Sequence, residues 1–425
     1  ASSLYQLLDG IFVGQILGSE AFAALNLVMP FVIINFAISD LIGVGSAVPI
    51  SVRLGEKRPE EANNIFTIAC LLIFGQGIVV GGALYFLAPT LLGLMGAEGA
   101  LAAMAVQYLR VYAVCSPIVG CVFASDNFLR ICGQIRTSMM LNVLMSVLCV
   151  VFEFFFLAVL RIGIRGAALG TCLSMMVCAF LAMLPFFRGK MALKFVRPKF
   201  SRRILGQIVS CGCPTFLNNI AGRVTSIIMN MVLLQLGGAS AVSVYGILMY
   251  ADGIILQLMY GMCDSLQPAV GYNWGAARRD RVVAIERCCF TAAAVISLVG
   301  AAVLFAFPRQ TAELFMATAG AEVLDMAEPA LRIFSLTYIT RWFSFATQSF
   351  VSAIEKPVQA SILSVSTALL FPVGQIVALW PMGLSGLWAN MPGTALLAGI
   401  TAGIILLDLR RRVWNSPHKV REPGA

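Results

Sequence analysis

The sequence predicts an all-α polytopic membrane protein. Hydrophobic residues make up 60% of its 425 positions and charged residues only 12%, and the mean hydropathy is +0.90. Soluble proteins carry about 25% charged residues. Apolar runs of about 20 residues, long enough to cross a bilayer as helices, recur from one end of the chain to the other.

We predict twelve transmembrane helices from these runs. Their approximate ranges are 2–17, 22–53, 63–87, 104–130, 136–160, 165–187, 205–236, 240–273, 282–307, 328–352, 358–380 and 384–409. The first range is short for a span, so we expect helix 1 to be incomplete at its start.

The distribution of basic residues predicts the orientation. Of the 29 Lys and Arg residues, 22 fall on one predicted side of the membrane, 3 on the other and 4 within spans. Because Lys and Arg are retained on the cytoplasmic side, we expect the loop 188–204 and the C-terminus in the cytoplasm. The predicted location is the cytoplasmic, or inner, membrane of a cell.

The chain also repeats itself with a period near 220. "RLGEKR" aligns with "NWGAAR", and "RIGIRGAALG" with "PMGLSGLWAN". Each repeat holds six helices, so the repeats run parallel and predict two pseudo-symmetric six-helix lobes around a central cavity. We assign 1–187 to the N-terminal lobe, 188–204 to a basic cytoplasmic linker, 205–409 to the C-terminal lobe and 410–425 to a cytoplasmic tail.

Several functional classes are disfavoured. The net charge of +9 is dispersed between apolar runs, which argues against a nucleic-acid partner. The chain has one His, its twelve Cys follow no metal-ligand spacing, and no hydrolase, metalloprotease or Walker motif occurs. We therefore expect no enzyme, no cofactor and no structural metal, and a monomer whose partners are a small-molecule substrate, a coupling ion and the bilayer.

Polar side chains form stripes along three predicted helices. Helical spacing places each set on one face: Thr215, Asn219, Arg223, Ser226 and Asn230; Gln257, Tyr260, Asp264 and Gln267; Asn142, Ser146, Cys149 and Glu153. Ser, Thr and Asn also join helices by hydrogen bonds without any transport role. The ionisable members indicate instead that the stripes face a cavity, and Arg223 and Asp252 lie at depths that allow an ion pair.

Intramembrane carboxylates are costly and are functional candidates. Asp9 and Glu153 lie near the middle of the bilayer in their predicted helices, and Asp40 lies deep in its helix. Desolvation and a neighbouring carboxylate favour proton binding to such groups, so we hypothesise that Asp9 and Glu153 share a proton. Asp126 lies four residues before Arg130 and predicts an ordinary helix-end pair.

These segments resemble the multidrug and toxic compound extrusion (MATE) family, most closely its MepA-like bacterial branch. The resemblance is carried by "LLDGIFVGQILG", "NFLRICGQIRTSMMLN", "RGAALGT" and "GMCDSLQPAVGYNWGA", and it covers nearly the whole chain. It implies antiport, in which an organic substrate, often a cation, leaves as H⁺ or Na⁺ enters. It implies a coupling role for Asp9, where Na⁺ is an alternative to H⁺, and acidic positions at Glu153 and Asp264.

The resulting hypothesis is an ion-coupled antiporter with an acidic central cavity. Its ion-coupling candidates are Asp9, Glu153 and Asp40. Its substrate-binding candidates are Asp264, Tyr260, Gln257, Asn219, Arg223, Asn230, Asn142 and Asp252. The alternative is a lipid or lipid-linked precursor flippase on a related fold, for which a basic cavity would be the discriminator. A non-transporting scaffold would not explain the buried carboxylates.

Overall fold

The computed structural model describes residues 16–95, 98–315 and 321–411. All regular secondary structure in these ranges is helical. The helices are α1 Ser19–Gly55, α2 Pro59–Leu94, α3 Gly99–Val119, α4 Cys121–Ile131, α5 Ile135–Phe154, α6 Ile164–Phe187, α7 Arg202–Gly238, α8 Ser240–Gly275, α9 Arg279–Ala306, α10 Pro308–Phe315, α11 Ala321–Ser335, α12 Thr337–Ala353, α13 Pro357–Val365, α14 Phe371–Leu379 and α15 Gly383–Leu409. Short π-helical turns follow α5 at Phe155–Val159 and α13 at Ser366–Leu370.

The all-α polytopic fold is confirmed. Nine helical segments of the described residues are long and apolar enough to cross a membrane. The count of twelve spans stays a prediction, because the first predicted helix lies almost entirely outside the described ranges. Three predicted helices are divided: 104–130 becomes α3 and α4, where Pro117 precedes the break at Gly120, 328–352 becomes α11 and α12, and 358–380 becomes α13, a π turn and α14. Proline removes a backbone donor and disrupts the helix on its N-terminal side.

The backbone confirms the internal repeat. Left-handed φ angles recur 220 positions apart at Gly18 and Gly238, at Lys57 and Ala277, and at Gly163 and Gly383. Gly163 (φ 72°, ψ −152°) directly precedes α6, and Gly383 (φ 61°, ψ −140°), the first residue of α15, has nearly the same conformation. Only glycine adopts such angles without steric cost, so the two halves share their turns as well as their helix order.

The described chain divides into two compact units. Unit 1 comprises the part up to Phe216 together with Ser265–Val283 and Ala353–Pro357. Unit 2 comprises Leu217–Asp264, Ala284–Ser352 and the part from Val358 onward. The lobes assigned from the sequence, with a division at 188–204, stay a prediction.

Unit 1 is held together by close helix packing. A Cβ added to Gly77 of α2 would lie 2.4 Å from Cα of Pro117, and one added to Gly81 would lie 2.4 Å from the carbonyl oxygen of Ala113. This Gly-x-x-x-Gly pair therefore lies at a close contact between α2 and α3. In lipid the hydrophobic effect does not favour contact between helices. Close approach of the two backbones stabilises the helix pair through van der Waals contacts instead.

Candidate functional site

A cavity of about 400 Å³ lies within unit 2. Its walls come from α7, α8, α12, the π turn Ser366–Leu370, α14 and α15. The polar lining includes Asn218, Asn219, Arg223, Ser226, Tyr245, Tyr260, Thr337, Arg341, Ser344, Gln348, Thr367, Asn390 and Thr394. The apolar lining includes Met229, Met249, Leu256, Phe345, Pro372 and Met391. The volume falls in the range of small-molecule sites, which combine apolar walls with a few polar groups.

Three predicted substrate-binding residues line this cavity together. Asn219 and Arg223 lie one turn apart on α7, and Tyr260 lies on α8. The hydroxyl of Tyr260 accepts a hydrogen bond from Nδ2 of Asn218 at 3.3 Å. Its ring also packs edge-on against Phe345 of α12, with centroids 4.7 Å apart. The predicted polar face of α7 therefore does face a cavity at these positions.

The predicted ion pair between Arg223 and Asp252 is wrong. Asp252 is 7% exposed, and its carboxylate accepts a hydrogen bond from Nη1 of Arg341 at 2.7 Å. The Tyr338 hydroxyl donates a second hydrogen bond to the same oxygen. Asp252 and Arg341 lie 89 positions apart, so helix spacing alone did not identify the partner. Asp252 lies behind the cavity wall, whereas Arg341 lines the cavity.

Arg223 forms no salt bridge in the part of the chain that the structure describes, and the described cavity lining contains no carboxylate. Since Asp252 balances one of the two guanidinium groups, the described lining retains about one positive charge. The expectation of an acidic central cavity stays a prediction, because the side chain of Asp264 lies outside the described part of the structure. The described side chains of the lining favour negative ligand charge.

Of the remaining substrate-binding candidates, Gln257, Asn230 and Asn142 do not line the cavity. Gln257 is exposed and Asn230 half-buried. Asp264 belongs to α8, but its side chain lies outside the described part of the structure. Asn142 belongs to unit 1, where its Nδ2 donates to Asp126 at 2.9 Å.

Asp126 also forms the predicted helix-end pair, at 2.6 Å from Arg130. This prediction is confirmed. The Ser138 hydroxyl and Asn142 donate to the other carboxylate oxygen. Because both carboxylate oxygens of Asp126 are hydrogen-bonded, the cluster links α4 to α5. Asn142 belongs to this cluster and does not line the cavity of unit 2.

Glu153 is a fully buried carboxylate at the end of α5. Its Oε1 accepts hydrogen bonds from Thr171 Oγ1 at 2.7 Å and from Cys149 Sγ at 3.2 Å. The π turn Phe155–Val159 begins two residues later, and such turns are frequent at functional sites.

A glycine of α6 admits Glu153 to this position. A Cβ on Gly170 would lie 2.7 Å from Cγ, 2.8 Å from the backbone nitrogen and 2.9 Å from Cα of Glu153. Real Cβ atoms do not approach other atoms so closely, so α5 and α6 meet here because residue 170 has no side chain. The glycine thereby determines where the buried carboxylate lies.

The structure gives less information on the other two coupling candidates, Asp9 and Asp40. Asp9 lies outside the described residues, and its predicted proximity to Glu153 stays a prediction. Asp40 is half-buried on α1.

A polar network in unit 1 was missed by the sequence reasoning. Asn35, fully buried on α1, donates through Nδ2 to Tyr112 Oη and Ser116 Oγ, both at 2.9 Å. Gln76 donates to Asn35 Oδ1 at 2.8 Å and accepts from Ser39 at 3.1 Å. The i, i+4 spacing of Asn35 and Ser39 was the available signal. Among the described residues, no group of three His, Cys, Asp or Glu side chains is placed to hold a metal.

Comparison with known proteins identifies the family. The MatE family model matches residues 1–155 and 214–376, which is more than half of the chain. The chain belongs to the MATE family.

MATE relatives match almost end to end. "Multidrug export protein MepA" of Staphylococcus aureus (strain NCTC 8325 / PS 47) is 25% identical over 420 residues, covering 97% of this chain and 91% of the relative. The protein of the same name from Staphylococcus saprophyticus is 25% identical over 416 residues, with the same coverage. The predicted resemblance to the MepA-like branch is confirmed, and this MATE protein is a multi-pass protein of the cell membrane.

Solved MATE structures share the fold. "Crystal structure of MATE in complex with MaL6" superposes with a TM-score of 0.90 at 25% identity, covering 96% of this chain and 93% of the other. "Reverse polarity of binding pocket suggests different function of a MOP superfamily transporter from Pyrococcus furiosus Vc1 (DSM3638)" superposes with a TM-score of 0.89 at 25% identity, covering 97% and 93%.

Proposed function

We propose that this MATE protein is an ion-coupled antiporter that exports small organic molecules, acting as a monomer. The observation that carries the proposal is the amphipathic cavity of about 400 Å³ inside the helices of unit 2. Its volume suits a drug-sized molecule, and relatives that match nearly the whole chain bear the name multidrug export protein.

The coupling ion, H⁺ or Na⁺, binds in our proposal at carboxylates of the N-terminal half. Glu153 is fully buried and hydrogen-bonded to Thr171, and Asp9 and Asp40 are the further candidates. A ligand shifts a conformational equilibrium only by its difference in affinity for the two states. Exchange therefore requires that ion binding favours one state and substrate binding the other.

The sequence also predicts that the exported molecules are cations. That prediction depends on Asp264 and on the carboxylates of the N-terminal half. The described lining of the unit 2 cavity does not add to it, because this lining contains two arginines and no carboxylate.

Reconstitution tests this proposal. Purified protein in liposomes is given an outward H⁺ or Na⁺ gradient, with the ion concentrated in the lumen, and accumulation of ethidium and of neutral and anionic dyes in the lumen is followed. We expect one gradient to drive transport of at least one dye. Glu153→Gln should reduce gradient-driven accumulation by at least tenfold, because the amide does not exchange a proton. Glu313→Gln, which alters an exposed pair with Arg309, is the matched control.

Absence of gradient-driven transport for every dye in the wild-type protein would exclude antiport of these molecules. Equal losses in Glu153→Gln and Glu313→Gln would remove Glu153 from the coupling mechanism.

A lipid flippase is the second candidate, and one observation favours it. Arg223 and Arg341 line one cavity together, and a basic cavity suits a phosphate head group. In liposomes that contain a fluorescent phosphatidylglycerol, dithionite quenching would then reveal protein-dependent exchange between leaflets. Gradient-driven dye transport without such exchange would exclude the flippase.

A further inference from the structure

We propose that the cavity of unit 2 is a binding site for the anionic group, phosphate or carboxylate, of an amphipathic molecule. Arg223 and Arg341 provide the positive pole, and the wall formed by Met229, Met249 and Phe345 receives the apolar body. This inference rests on the proposed transport function, because it names the class of molecule that the cavity admits.

The charge balance of the cavity is the first support. Arg341 is matched by Asp252, whereas Arg223 has no salt-bridge partner among the described residues. Arg223 is exposed and lines the cavity, so its charge is accessible to a ligand. An anion that enters the cavity is attracted by this charge, whereas a cation is repelled. The charges of the described lining thus discriminate between the two ligand classes.

The hydrogen-bonding capacity of the lining is the second support. The Arg341–Asp252 bridge uses Nη1, and a guanidinium group has five N–H donors in all. Thr337, Thr367 and Thr394 belong to the lining of the same cavity, and the hydroxyl oxygen of each is buried without a hydrogen-bond partner among the described residues. Arginine and hydroxyl donors around one space match the acceptor-only oxygens of a phosphate or carboxylate.

The apolar wall defines the rest of the ligand. Met229, Met249 and Met391 come from three different helices and face the same space as the packed rings of Tyr260 and Phe345. Methionine side chains adapt to ligands of different shape. The wall therefore selects for an apolar body without fixing its outline, and inorganic phosphate alone would leave it unfilled.

Three ligands with one tail and different head groups test the inference. Decyl phosphate, decyltrimethylammonium and decyl maltoside carry a negative, a positive and no charge. Their binding to the full-length protein in phosphatidylcholine nanodiscs is measured by titration calorimetry. We expect decyl phosphate to bind at least tenfold more tightly than decyltrimethylammonium. Arg223→Gln should weaken only decyl phosphate, by about tenfold or more, since charge-assisted hydrogen bonds are among the strong ones.

Arg332→Gln is the matched control. It makes the same change at an exposed residue of α11 that pairs with Glu328 outside the cavity. A preference for decyltrimethylammonium that is lost in Asp264→Asn would overturn the inference, because the ligand class would then be set by that carboxylate. Unchanged decyl phosphate binding in Arg223→Gln, or an equal loss in Arg332→Gln, would also overturn it.

Two further arms identify the source of the anion. Phosphatidic acid in the nanodiscs should compete with decyl phosphate if the natural ligand is a lipid head group, and should not compete if it is a soluble organic anion; both results require the anion site. Gradient-driven dye transport is measured on the same preparations. Transport without anion binding would refute this inference alone, and anion binding without transport would refute the proposed function alone.

Discussion

The Asp252–Arg341 pair is expected to be the most consequential ion pair of unit 2. Asp252 is 7% exposed and Arg341 19%, and their atoms lie 2.7 Å apart. Removing one partner of a buried pair costs about 3–5 kcal/mol, because the other charge is left uncompensated. Arg341 keeps some exposure to the cavity, so we expect Asp252→Asn to lower the free energy of unfolding by about 3 kcal/mol.

A double-mutant cycle isolates the interaction. Arg341→Gln alone should cost about as much as Asp252→Asn, because it leaves the carboxylate with a hydrogen bond from the neutral Tyr338 hydroxyl in place of the lost ion pair. The double variant removes both charges and should lose about 2–3 kcal/mol less than the sum of the two single losses. The free energies are measured by SDS-induced unfolding in mixed micelles, followed by tryptophan fluorescence.

The exposed pair Arg332–Glu328 is the control cycle. Its side chains are 53% and 33% exposed, and exposed pairs contribute about 0.2–1 kcal/mol or less. Additive losses at Asp252 and Arg341 would show that the two charges are not coupled. The charge balance that we assign to the cavity would then be refuted, because Asp252 would no longer offset Arg341.

Three further predictions concern unit 1 and helix 1. Gly170→Ala should lower the free energy of unfolding by about 1–3 kcal/mol through overpacking against Glu153, whereas Gly75→Ala, with nothing within 4 Å, should be neutral or stabilising in the same unfolding assay. Burial raises the pKa of Glu355, so the stability that it contributes is fully present at acidic pH and is lost as pH rises through its folded pKa; Glu355→Gln should remove this dependence in unfolding measured from acidic to neutral pH. Asp9→Asn should abolish gradient-driven export in liposomes while the protein still folds.

Each of these predictions has a result that contradicts it. An unchanged Gly170→Ala protein would mean that α5 and α6 separate without cost. For Glu355, the groups acting on the carboxylate are Arg53, Glu56, Gln207 and Lys356. Equal pH dependence in the wild-type and Glu355→Gln proteins would assign the effect to another carboxylate, of which Glu56 is the neighbouring one. An Asp9→Asn protein that still concentrates substrate under an ion gradient would exclude Asp9 as the coupling site and make Asp40 the next residue to test.

Local features of the sequence determined the fold. Each long apolar run predicts a helix, because a segment buried in lipid must form all of its backbone hydrogen bonds internally. The alignments around Gly163 and Gly383 and around Lys57 and Ala277 anticipated turns with matching backbone angles. The spacing of Asn219 and Arg223 predicted a shared polar face, and both side chains line one cavity. These properties depend on residues within a few turns of one another.

Tertiary structure alone decided which charges meet. Arg223 and Arg341 compete as partners for Asp252, and the rotation of α7, α8 and α12 selects Arg341. Asn142 has the right spacing for a cavity stripe, yet it bonds to Asp126. Glu153 meets Thr171 because Gly170 leaves room for its backbone. Coulombic and hydrogen-bond energies depend on the distance between two side chains. The periodicity of residues within one helix does not indicate how far that helix lies from a second helix, so the sequence did not identify these partners.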